Sequence, residues 1–149
     1  MNKSFKLISI IAVVIGVILV TFIFFESQDL VLKGDNHFEE GNFRRAYDYY
    51  YKAFSKDELN EELTVKMIDC LSFSGDQMSA KVQFDKYHQQ FPNNLEILNR
   101  GLYLYDGNAT KVITIVEKII TIYESQDNHE RVDNYTSYMS KIRAAQQGK

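Results

Sequence analysis

A chain of 149 residues with one cysteine and a net charge of −3 is long enough for one small domain with a real core, and too poor in cysteine for an internal disulfide. Its charge is unevenly spread. All 20 acidic residues lie after Phe25, as do all basic residues except Lys3 and Lys6, so the stretch beyond Phe25 carries −5. No basic stripe interrupts that acidity, which argues against a nucleic-acid partner.

The first predicted element is a membrane helix. Residues 1–6 form a short N-terminus on the cytoplasmic side, and residues 7–25 read LISIIAVVIGVILVTFIFF, 19 residues without a charge. As a helix this run spans about 28 Å at ~1.5 Å per residue, close to the hydrocarbon thickness of a bilayer. A cleavable signal peptide is the competing reading, but its apolar region is usually shorter and small residues mark its cleavage site. Here the run ends in Thr21-Phe22-Ile23-Phe24-Phe25, bulky throughout, so an uncleaved single-pass anchor is expected. Lys3 and Lys6 precede it, Glu26 and Asp29 follow, and Lys33, Arg44 and Arg45 soften the asymmetry. Basic residues favour the inner side, which predicts an anchor in the plasma (inner) membrane with residues 26–149 extracytoplasmic, or periplasmic. No glycine-, proline- or serine-rich linker follows Phe25, so the span is expected to run almost straight into the domain and hold it against the bilayer.

Beyond the span, helices are predicted over 27–40, 43–56, 60–73, 77–90, 94–106, 109–125 and 129–146. In the first, Leu30, Gly34, His37 and Phe38 recur at a spacing of three to four, with Gly34 small where a neighbour must approach closely. Gly41-Asn42 breaks the chain, and the next helix presents Phe43, Ala46, Tyr47, Tyr50, Ala53 and Phe54 on one face. Small residues alternating with large ones on that face suit ridges packed into grooves. The second pair turns at Ser74-Gly75-Asp76, packs through Leu63, Met67, Leu71, Ala80, Phe84, Tyr87 and Phe91, and closes at Pro92. Cys70 lies mid-helix in this pair and reads as a small buried hydrophobe. The third pair flanks Asp106-Gly107-Asn108, with Gly101, Tyr103, Val112, Val116 and Ile119 fitting the pattern loosely. Valine and isoleucine on more than one face of 112–123 predict a helix covered on two sides rather than an exposed docking patch. The last helix offers a single stripe of Val132, Tyr135, Met139 and Ile142.

A period of 34 residues links the first two pairs. Gly41 returns as Gly75, Ala46 as Ala80, Tyr50 as Phe84, and Glu58 lands on Pro92, the only proline. A turn glycine, a small residue and a large aromatic repeating at that interval mark stacked helix pairs. The chain resembles the tetratricopeptide repeat family over residues 27–126, strongly in the first two repeats and weakly in the third, where Gly107 follows Gly75 by 32 residues. Two further departures are Ile68 in place of a small residue and Tyr87 in place of an alanine. The resemblance implies an all-α fold: an N-terminal transmembrane helix, then in residues 26–149 a tetratricopeptide-like α-solenoid of about three helix hairpins and a capping helix.

For function the resemblance implies protein or peptide binding on the surface lined by the first helix of each pair. Carried onto this chain, that surface comprises Val31, Asp35, Phe38 and Glu39, then Lys66, Asp69 and Phe73, then Leu98 and Tyr105. Acidic residues beside aromatics suit a peptide with apolar anchors and some basic character. The clamp by which some members hold a partner's C-terminal carboxylate needs basic residues and asparagines where this chain has Val31, Asp35 and Leu98. Of the tyrosine cluster, Tyr47 and Tyr50 are expected to face the core. Tyr49 and Tyr51 fall off that face, either as an exposed aromatic anchor for a partner or lipid headgroups, or packed on a neighbouring repeat.

No enzyme, metal or cofactor is expected. His37, His88 and His129 sit apart on different helices, and no phosphate loop, dinucleotide fingerprint or calcium loop occurs. The expected function is that of a membrane-anchored scaffold or adaptor, an accessory subunit of a cell-envelope, secretion, pilus or translocon assembly. The alternative is a structural subunit whose own membrane helix packs into a larger complex, with Val13, Gly16 and Val20 as a close-packing face.

Overall fold

The computed structural model describes the backbone of residues 3–148 and the side chains of residues 10–22 and 25–148. Among the described residues the chain forms seven α-helices and no strand. They are α1 (Lys3–Glu39), α2 (Phe43–Phe54), α3 (Glu61–Phe73), α4 (Gln77–Gln90), α5 (Leu95–Leu104), α6 (Ala109–Ser125) and α7 (His129–Gln147). Two compact units result, one reaching Leu63 and one starting at Thr64.

The apolar run and the first helix beyond it are one element. α1 has 37 residues, about 56 Å at ~1.5 Å per residue, and is long and apolar enough to cross a membrane. Glu26-Ser27-Gln28-Asp29 contains nothing that stops a helix, and Asp29 instead pairs with Lys33 one turn on at 2.5 Å. Lys3 and Lys6, on which the expected orientation rests, have side chains outside the described residues. α1 ends where Gly41 takes a φ of +74°, with Asn42 N–H donating to His37 O at 2.8 Å and Gly41 N–H to Phe38 O at 3.0 Å. This pair of bonds closes a helix around a left-handed residue, and Gly75 repeats it after α3 with bonds to Leu71 O and Ser72 O. The two turn glycines of the 34-residue period thus have one backbone reason.

The first unit is a hairpin of α1 and α2. Tyr50 is its keystone: a Cβ on Gly34 would overlap the Tyr50 ring, so α2 can lie this close only because residue 34 has no side chain. Ala46 and Ala53, one turn to either side, are wholly buried, and the Tyr50 hydroxyl donates to Asp35 Oδ1 at 2.7 Å. Phe38 meets Phe43 edge to face at 5.2 Å across the turn. At the other end Lys56 Nζ reaches Glu26 Oε2 at 2.9 Å. The ion pair therefore returns the chain after α2 to the level of the first residue beyond the apolar run.

The second unit buries Met67 and Ile68 of α3, Ala80, Phe84 and Tyr87 of α4, Ile97 and Leu98 of α5, and Val116 and Ile119 of α6. Burial of a ring the size of Phe84 stabilises by about 2–3 kcal/mol. Gly101 of α5 repeats the role of Gly34: a Cβ there would overlap the Phe84 ring and meet Ile115 Cδ1 at 3.0 Å. α6 is covered on two sides, by α5 and α7, as its two apolar faces require. α7 buries no residue fully and half-buries the stripe Val132, Tyr135, Met139 and Ile142. Side-chain oxygens of Asn60, Asp76, Asn94, Asn108 and Asn128 each accept an N–H three residues on, capping α3 to α7.

Candidate interaction surface

Within the second unit, α3 and α5 are joined through charge. Arg100 donates through Nε to Asp69 Oδ1 at 2.9 Å and through Nη2 to Asp69 Oδ2 at 2.8 Å, a bidentate pair between half-buried partners. The hydrogen bond to Asp69 raises the basicity of the guanidinium more than burial lowers it. The pair forms one wall of an open concavity of about 370 Å³, lined also by Ser72, Phe73, Asn99 and Tyr103. Phe73 follows Asp69, and Tyr103 follows Arg100, by about one helical turn, so each ring projects beside a charge that is already neutralised. Phe73 is 62 % exposed and Tyr103 69 %. Two large rings held in water on rigid helices, beside a closed ion pair, suit apolar or aromatic anchors on a partner. Asn99 is tied from behind, its Oδ1 accepting the Tyr135 hydroxyl of α7 at 3.2 Å.

Of the residues carried over from the repeat pattern, Asp69 and Phe73 come together here. Lys66 is half-buried on α3 outside this concavity. Leu98 is 1 % exposed and belongs to the core, so it lines no surface; the shorter offset of the third repeat turned that position inward. In the first unit Val31 and Phe38 are half-buried, Asp35 is engaged by Tyr50, and Glu39 is exposed. Asp69, expected to attract a basic peptide, is satisfied by Arg100. Arg100, Ser72, Asn99 and Tyr103 went unseen as surface residues, and Tyr103 was expected among the packing positions. The available signal was the opposite charge of Asp69 and Arg100, 31 residues apart.

Tyr105 belongs to a second polar cluster. Its hydroxyl donates to Asp85 Oδ2 at 2.5 Å, Lys111 Nζ lies 2.9 Å from Asp85 Oδ1, and Lys81 and Lys111 sit over the Tyr105 ring at 5.4 and 5.1 Å. Burial pushes the Asp85 carboxyl up, yet the bonds from Tyr105 and Lys111 and the lysine charge outweigh it and hold the group below the usual carboxylate range. Burial, and then the bond to Asp85, push the Tyr105 phenol up to about 12. This cluster joins α4, α5 and α6 and is a structural brace. Tyr49 is half-buried, stacked on His37 at 5.3 Å with Lys52 over its ring. Tyr51 is exposed and stacks on Tyr47 at 6.2 Å, and Tyr47 is only half-buried rather than in the core. His88 lies flat on Phe84, and His37 Nδ1 lies 3.3 Å from Glu40 Oε2.

No protein-family model matches this chain, and no curated protein matches it either.

Proposed function

We propose that the chain is a membrane-anchored protein-interaction module of tetratricopeptide type, held by residues 7–25 and binding a partner protein through the α3–α5 surface. The observation that carries this reading is the exposure of Phe73 and Tyr103 on either side of the Asp69–Arg100 pair. Aromatic anchors in a concave surface are where binding energy concentrates in protein interfaces. The repeat reading is supported by Gly34 against Tyr50 and Gly101 against Phe84, a small residue receiving a large ring in both units. The anchor is supported by an apolar helix whose side chains between Ile10 and Phe22 are exposed. The partner is a protein of the same membrane or its outer face, and the chain serves there as an adaptor in an envelope assembly.

A photo-crosslinking residue placed at 73 or 103 of the full-length chain, in native membranes, tests this. The reading predicts a discrete adduct from both positions and none from Met78, which is equally exposed on α4. Equal adducts from all three positions, or none from 73 and 103, would contradict it.

A further inference from the structure

Glu26 follows the uncharged run directly and lies on the same unbroken helix, so a bilayer around residues 7–25 sets its height. Lys56, just beyond α2, is tied to Glu26 at 2.9 Å. Residues 55–60 therefore sit at the level where α1 leaves its apolar part. Asp57 O accepts Asn60 N–H at 3.1 Å and Asp57 Oδ1 accepts Leu59 N–H at 3.3 Å, which folds this loop tightly. At its tip Leu59 is 77 % exposed.

We propose that the α2–α3 loop is a second membrane contact, with Leu59 entering the interfacial layer of the bilayer that α1 crosses. The proposal rests on the reading of residues 7–25 as a membrane span. That span is also what makes lipid the occupant. The headgroup layer is roughly 5–7 Å deep on each side, and Leu59 is three residues from Lys56, at most about 10 Å of chain. An apolar side chain at that height gains by leaving water. The contact is apolar, since Asp57 and Glu58 give the loop no attraction for anionic headgroups. Lys56 also neutralises Glu26, which eases holding a carboxylate beside a low-dielectric slab. The consequence is orientation. One helix can turn about its own axis in a bilayer, whereas an off-axis contact fixes which way the α1–α2 hairpin faces.

The test uses the full-length chain with Cys70→Ala, reconstituted into zwitterionic phosphatidylcholine vesicles, carrying an environment-sensitive fluorophore on one introduced cysteine. Three sites are compared: Leu59→Cys, Gly16→Cys within the span, and Glu39→Cys at the far end of the hairpin, about 20 Å from Glu26 along α1. The labels at 59 and 16 shift to shorter wavelength and lose emission to lipid-borne quenchers, a shallow one for 59 and a deep one for 16. The label at 39 stays in water. If 59 behaves as 39 while 16 is quenched, the loop contact is wrong and the span stands. If 16 also reports water, the span fails and the loop contact with it.

Discussion

Gly34 shows how one missing side chain carries a packing scheme. Alanine is the better helix former by about 1 kcal/mol, so Gly34→Ala on an open helix would stabilise. Here the added methyl overlaps the ring of Tyr50, which is 1 % exposed and tethered to Asp35, so the ring has no free direction of retreat. We expect a net loss of about 1–3 kcal/mol, read as a lowered denaturant midpoint, because overpacking outweighs propensity. Gly16→Ala, where a Cβ meets nothing within 4 Å, is the matched control and leaves the midpoint unchanged. The Asp85–Tyr105 brace gives a pH signature with two signs. The depressed Asp85 carboxyl stabilises above its ordinary value near pH ~4 and that contribution is lost as pH falls through its lower folded value. The raised Tyr105 phenol stabilises below about pH 10 and loses its contribution as pH rises through about 12. Tyr105→Phe should remove the highest-titrating phenol from an ultraviolet titration and weaken stability at neutral pH. A titration curve with the same last step in both proteins would refute this brace.

Helix ends decide the elements, and the turn from α6 to α7 departs from the rest. Asp127 stands with a φ of +53° where Gly41 and Gly75 stand elsewhere, and its neighbours make the same closing bonds, Asn128 N–H to Tyr123 O and Asp127 N–H to Glu124 O. A left-handed conformation costs a non-glycine residue about 1 kcal/mol. Asp127→Gly should therefore stabilise by up to that amount, while Asn94→Ala, which removes the cap of Ile97 N–H, should destabilise by about 1 kcal/mol. Thermal melts of the two variants moving in the same direction would contradict the capping account. Element positions were largely legible beforehand because turn glycines, Asx caps and the single proline punctuate the chain: α4 and α6 fall where their flanking residues place them. The break expected after Phe25 does not occur, since apolar and polar stretches differ in solvent and not in backbone preference. Half of the candidate site was legible. Asp69 and Phe73 follow from the 34-residue period, but the period slips in the third pair, so strict carry-over selected buried Leu98 and passed over Arg100 and Tyr103.

For the whole molecule, the question is what the apolar part of α1 contributes. Val13, Gly16 and Val20 meet no other part of the chain, and Gly16 has open space beside it, so this face is available to lipid or to another membrane helix. Replacing residues 7–25 by an unrelated span of equal length separates the adaptor from the embedded subunit: partner binding survives the exchange in the first case and is lost in the second. The adaptor account rests on the α3–α5 surface, so its most direct measurement is quantitative recovery of proteins crosslinked to the full-length chain in native membranes, wild type against Phe73→Ala/Tyr103→Ala. Both rings are exposed, so the double variant should keep its helical content and melting temperature. Loss of two interface anchors at about 1–2 kcal/mol each should lower the recovery of at least one membrane or envelope protein about tenfold or more. An identical set of proteins at identical yield from a folded double variant would contradict the account.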